Sequence, residues 1–114
     1  MTKSVIDMAT FEELRQASGA DFIGELADTF LEDAPQLLQQ IELALQAQDY
    51  EACRRAAHSL KSNSATFGAT VLSEQSREIE RLAKDKQLDL VGARLEQLQK
   101  TYSTVAAELK DLRS

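Results

Sequence analysis

The sequence predicts an all-α fold, an antiparallel up-down four-helix bundle with a short N-terminal helix ahead of it. Apolar residues recur at steps of three and four along most of the chain, the period of one buried helix face. Glycine (4) and proline (1) are scarce, and Leu, Ala, Glu and Gln dominate the 114 residues, so little in the composition breaks a helix. The connections between the periodic segments look short, which sets neighbouring helices antiparallel.

Thr10 followed by Glu13 reads as a capping box and predicts a short helix over about 11–17, stopped by Ser18-Gly19. Asp21 then stands where it can cap a long helix over about 21–47, whose stripe is Phe22, Ile23, Leu26, Phe30, Leu37, Leu38, Ile41 and Leu45. Pro35 interrupts that stripe, but the stripe resumes in phase, so the reading is one kinked helix rather than two. Asp49 caps a segment over about 50–67, closed by Gly68. Another helix is expected over about 69–84, with Leu72, Ile79, Leu82 and Ala83 inward. The last, over about 88–112, shows Val91, Leu95, Leu98, Tyr102, Val105, Leu109 and Leu112 in alternating steps of four and three, the seam of shallow-angle packing.

There is no repeat or linker, so residues 1–114 are expected to form a single domain, which at this size buries roughly two-thirds of its unfolded surface. With 19 acidic and 13 basic residues the net charge is −6, which repels nucleic-acid phosphates and anionic lipid alike. No stretch resembles a signal peptide or approaches the ~20 apolar residues of a membrane span. The single cysteine, Cys53, excludes an internal disulfide, and a cytoplasmic protein is the expectation. Met1 favours a free-standing protein over a domain excised from a larger one.

The chemistry concentrates in residues 49–68, DYEACRRAAHSLKSNSATFG. At about 100° per residue, Cys53, Ala56, Ala57, Leu60, Ser64 and Phe67 gather on one side, and His58 falls about 140° from Cys53. The chain's one imidazole therefore projects to solvent. Its helical neighbours are Arg54, four residues before, and Lys61 and Ser62, three and four after. A neutral imidazole is a competent nucleophile near neutral pH. Transfer of a phosphoryl group is largely positioning and charge neutralisation, for which Lys61 can supply an ammonium. Cations nearby favour the uncharged ring. Ser62 or Ser59 can add a hydroxyl, and Arg54 a second cation.

By itself an exposed histidine on a helix is an ordinary solvated residue, and so is an Arg-Arg pair near a helix start. No histidine or cysteine pair offers a metal site, and no Gly-rich loop offers a phosphate cradle. Cys53, on the core face, reads as a small buried hydrophobe. Glu12-Glu13 and Glu78/Glu80 are placed on solvated faces with no cause for perturbed pKa values, which leaves a carboxylate-dyad hydrolase without support.

The string from His58 to Gly68 resembles the signature of bacterial histidine-containing phosphotransfer (HPt) domains, H-x-L-K-G-x-S-x-x-x-G. His58, Leu60, Lys61, Ser64 and Gly68 match in register. The FLEDAP stretch at Phe30–Pro35 and Asp49 ahead of the motif extend the likeness to residues 7–110. Ser62 departs, standing where the family commonly has glycine; reduced clearance beside the histidine is expected rather than loss of activity. The resemblance implies a phosphoryl carrier, not an enzyme with kinase activity of its own. It implies that His58 accepts the phosphoryl group from a receiver-domain aspartate and passes it to another response regulator, and that Lys61 stabilises the charge. Leu60, Ser64 and Gly68 take structural roles. Partners would be receiver domains and a hybrid sensor histidine kinase, docking over the motif helix and its neighbour in the bundle. No cofactor or metal is implied for this chain, since Mg²⁺ comes with the receiver.

Two other readings use the same helices. A non-phosphorylated helical adaptor for two-component proteins would tolerate loss of His58. A sensor-kinase dimerisation domain would show H-E-x-x-x-P and dimerise, whereas four amphipathic helices can close a bundle as a monomer.

Overall fold

The computed structural model describes residues 5–113, and five helices account for nearly all of them: α1 (Met8–Ser18), α2 (Ala20–Ala47), α3 (Tyr50–Thr66), α4 (Thr70–Lys84) and α5 (Leu88–Arg113). Among the described residues there is no strand. Helix α2 packs on α3 and α5, α4 also packs on α3 and α5, and α1 lies against α2 and α3. The α3–α4 contact is the most extensive. One apolar core joins all five helices, with Phe30 at its centre, 5.3 Å from the Phe67 ring and 6.1 Å from that of Tyr102.

The lead-in differs from the capping-box expectation. Helix α1 begins at Met8 rather than Phe11, with Asp7 as its first flanking residue. Thr10 lies inside the helix, and its hydroxyl donates to Asp7 Oδ2 at 2.6 Å instead of capping a backbone N–H. Ile6 and Phe11 are both buried, which pulls the chain into register ahead of the Thr10 position. Asp21 does not cap α2 either. Gly19 joins α1 to α2 alone, its N–H donating to Arg15 O and its carbonyl accepting from Ile23 N, at a φ of 94° that favours glycine. Asp21 sits in the first turn, where its charge still suits the helix N-terminus.

Helix α2 is continuous through Pro35, whose ring is on the solvent side. Its buried stripe is Ile23, Ala27, Phe30, Ala34, Leu38, Ile41 and Ala44, with Leu26, Leu37 and Leu45 packed at the margin. Phe22, assigned to the stripe from sequence, is 48% exposed, because the stripe runs through Ile23 and Phe22 lies about 100° off it. Helix α3 starts as expected: the Asp49 side chain accepts from Ala52 N at 3.0 Å.

The α3–α4 turn is held from outside. Gly68, at φ 78°, ends α3, and its carbonyl accepts from Asp7 N at 2.7 Å. A Cβ at Gly68 would stand 2.8 Å from Asp7 O. The N-terminal segment is itself anchored by Val5 N–H on Glu108 Oε2 at 3.0 Å. Gly68→Ala meets both a left-handed backbone and a backbone clash, so it should cost roughly 2–3 kcal/mol. Urea unfolding checks this, and an unchanged midpoint would show that the turn is not so constrained.

Candidate functional site

Burial sets the phase of α3. Cys53, Ala56, Ala57, Leu60 and Ser64 form its buried side, and the Ser64 hydroxyl is satisfied within the helix by Leu60 O at 2.6 Å. Helix α3 packs closely on α4, where Ser73 Oγ donates to Lys61 O at 3.0 Å. Burial pushes the Cys53 thiol up to about 11, with the charge of Asp49 adding to it, so this cysteine stays a protonated core residue.

That phase turns His58 outward, with 55% of its side chain exposed. The ring is not loose. Its Nδ1 lies 2.7 Å from Oε2 of Glu80 on α4, while Lys61 Nζ donates to Oε1 of the same carboxylate at 2.7 Å. Glu80 is only 18% exposed and Lys61 28%. One carboxylate thus holds the ring and the ammonium together. An ionised carboxylate only accepts, so Nδ1 carries the hydrogen of this bond and the Nε2 lone pair is left for chemistry.

Glu80 is the partner of His58 and Lys61 that the sequence reading missed, having been placed on a solvated face without cause for a shift. Burial raises its carboxyl, but hydrogen bonds from Lys61 and His58, with their charges, outweigh this and hold it below the ordinary value of 4.5. Glu78 also departs from the expectation, lowered chiefly by its hydrogen bonds from Arg81. The electrostatics at the ring are likewise revised: the charged group touching His58 is an anion, not a cation. Arg54 is engaged with Glu51 one turn back, and Lys61 is spent on Glu80. Ser62 and Ser59 are exposed on α3, flanking His58. Leu60, Ser64 and Gly68 occupy core and turn positions. Among the described residues no group of His, Cys, Asp and Glu could hold a metal ion, and no helix is long and apolar enough to cross a membrane.

An all-helical scaffold that presents one solvent-facing histidine beside a lysine is the architecture of a phosphoryl carrier. Comparison with known proteins agrees. The family model described as Hpt domain matches residues 25–108. The chain is 33% identical over 75 residues to the sensor protein TorS of Escherichia coli (strain K12), covering 66% of this chain but 8% of that protein. It is 29% identical over 92 residues to the phosphorelay protein LuxU of Vibrio harveyi, covering 81% of each. The crystal structure of histidine-containing phosphotransfer protein B (HptB) from Pseudomonas aeruginosa PAO1 superposes with a TM-score of 0.91 at 29% identity, over 98% of this chain and 96% of that one. The chain belongs to the Hpt-domain family and is a histidine phosphotransfer domain of the kind that works in phosphorelays.

The Glu80 bond network carries a pH signature. A carboxyl lowered in the folded state stabilises fully above its unfolded value of 4.5, and that stabilisation is lost as pH falls through the folded value. Thermal unfolding of the protein and of Glu80→Gln, followed from neutral to acid pH, should show the variant less stable at neutrality. The two curves should then converge as pH falls below 4.5 and through the lowered folded-state value. Parallel curves at all pH values would mean that Glu80 is not held ionised by its partners.

Proposed function

We propose that the protein carries a phosphoryl group on His58, taking it from the aspartyl phosphate of one receiver domain and passing it to the aspartate of another. The observation that supports this most is the ring geometry: exposed at its outer edge, with Nδ1 engaged by Glu80. In the forward step the Nε2 lone pair attacks phosphorus, a P–N bond forms, and the acyl-phosphate P–O bond breaks with its electron pair leaving on the aspartate. Positive charge develops on the imidazole as this happens, and the Glu80 carboxylate faces it. Lys61 stands beside the same carboxylate, from which its ammonium can turn to the incoming equatorial oxygens. Return of the group to a second aspartate reverses each bond change.

The Mg²⁺ such transfers use would arrive on the receiver. A hybrid sensor kinase is the natural source of the phosphoryl group, in keeping with the similarity to part of TorS, and this chain would act as carrier without kinase activity of its own. The closed ring of contacts among α2, α3, α4 and α5, joined by short connections, supports reading them as an antiparallel up-down four-helix bundle. We further propose that it acts as a monomer in the cytoplasm. Ser62 stands on the exposed side of α3 in the place of the family's usual glycine, where we propose that it narrows the approach to the ring without preventing transfer.

Incubation with a labelled phosphorylated receiver tests the reading. His58→Gln should accept no label and stay folded, its melting temperature lowered only slightly by loss of the bond to Glu80, since the side chain lies outside the core. Lys61→Ala should slow transfer by about 10- to 100-fold. Label retained by His58→Gln would move the acceptor elsewhere.

A further inference from the structure

Glu80 faces two groups that carry positive charge at different moments. Before transfer, Lys61 is the cation it holds, with Nζ 2.7 Å from Oε1. A ring ready to attack is uncharged and gives Oε2 only its Nδ1 hydrogen, at 2.7 Å. After transfer the balance changes. A ring with phosphorus on Nε2 and hydrogen on Nδ1 is a cation, and the phosphoryl oxygens beside it are anions that draw Lys61. The carboxylate then faces the ring's charge in place of the ammonium's. Among the described residues no other acid touches the ring. On α3, Arg54 is paired with Glu51 and senses Glu80 only through space, and Arg55 is exposed. On α4, Arg77 and Lys84 are exposed cations one turn to either side of Glu80. The α2 side of the groove along α3 presents Leu37, Gln40, Leu43 and Ala44, none of them charged. Helix α1 meets α3 at its other end, where Thr10 stands against Gly68.

The hydrogen on Nδ1 decides how readily the phosphoryl group leaves. When the next aspartate attacks phosphorus, a P–O bond forms and the P–N bond breaks, its electron pair returning to Nε2. With Nδ1–H in place, the departing ring is neutral imidazole. Without it the departing group is an imidazolate anion, a far poorer leaving group. An imidazole cation ordinarily gives up a ring hydrogen near neutral pH. A carboxylate 2.7 Å away opposes that loss, because it would then face a lone pair instead of a charged N–H. The Glu80 carboxyl lies below its ordinary value of 4.5 despite burial, so it is ionised throughout the neutral range.

We infer that Glu80 keeps the phosphorylated ring in its transferable form, exchanging Lys61 for the ring cation once the phosphoryl group arrives. This rests on the phosphorelay reading above and adds to it what governs the hand-on step. Glu80 is a positioning residue, acting through the ring and touching neither phosphorus nor the attacking aspartate. Its effect changes sign with pH. Where the ring is protonated in any case, the carboxylate stabilises that cation more than the transition state, in which the charge is fading, and so slows the step. At higher pH an untethered ring has shed its hydrogen; there the carboxylate restores the protonated form and speeds the step.

The test labels the full chain on His58 with phosphoramidate, adds excess unphosphorylated receiver, and follows single-turnover loss of label over about pH 6 to 9. Glu80→Gln supplies a weaker, neutral acceptor and no charge. Dividing its rate by the parent's at each pH cancels the receiver's own titration. The ratio should begin at or above unity at the acid end and fall by about tenfold or more towards the alkaline end. The phosphorus-31 shift of the labelled parent gives a second measure that needs no variant. Its ring transition should lie about one pH unit or more higher in the folded protein than in urea. A ratio below unity that does not vary with pH would reduce Glu80 to a structural part of the α3–α4 contact. Coincident transitions in folded and unfolded protein would overturn its hold on the ring. A parent protein that labels at His58 yet passes nothing to any receiver would remove the phosphorelay reading, and the hand-on role of Glu80 with it.

Discussion

A single carboxylate shared between two helices fixes the surroundings of this molecule's one histidine. Glu80 projects from α4 to meet His58 and Lys61 on α3, one oxygen to each. The arrangement depends on how closely α3 and α4 pack, the most extensive helix contact in the molecule. Small buried residues occur on both helices, among them Ala57 on α3 and Ala83 on α4, with Ser76 satisfied inside its own helix. Larger side chains at such positions would separate the helices, and a gap of even an ångström weakens hydrogen bonds of this length steeply. Core packing and function are in this sense one constraint.

The same constraint explains the N-terminal segment. The α3–α4 turn fixes the register of one helix on the other, and Gly68 makes that turn possible in a backbone region where side chains are strained. Asp7 closes on it from the lead-in, while Ile6 and Phe11 bury beneath. The family match begins at residue 25, yet the residues before it brace the end of the helix that carries the histidine.

The helices and the outward face of His58 were legible in the sequence because both are properties of a single helix with a strong period. Cys53, Ala56, Ala57, Leu60 and Ser64 define the inner side of α3 by spacing, and all of them are buried. Asp49 was legible as a cap for the same local reason. Glu80 was not, because its partners lie 22 and 19 residues away on another helix. A signal was available: Glu80 borders the stripe of Leu72, Ser76, Ile79 and Ala83 two turns after Ser73, on the side of α4 that faces α3. A carboxylate at the edge of a buried stripe has a neighbouring helix within reach. The start of α1 and the exposure of Phe22 were misread for a related reason: Ile6 and the small residues of α2 settle the competition for core positions, and local capping rules do not include that competition.

The tether on the imidazole is the claim on which the rest stands, and nitrogen-15 NMR of His58 tests it most directly. The account requires a ring hydrogen on Nδ1 that exchanges slowly while Glu80 is present and is lost from view in Glu80→Gln. After phosphorylation it requires the phosphorus coupling to appear at Nε2. A phosphorus coupling at Nδ1, or a ring whose two nitrogens exchange their hydrogen freely in the parent protein, would contradict it.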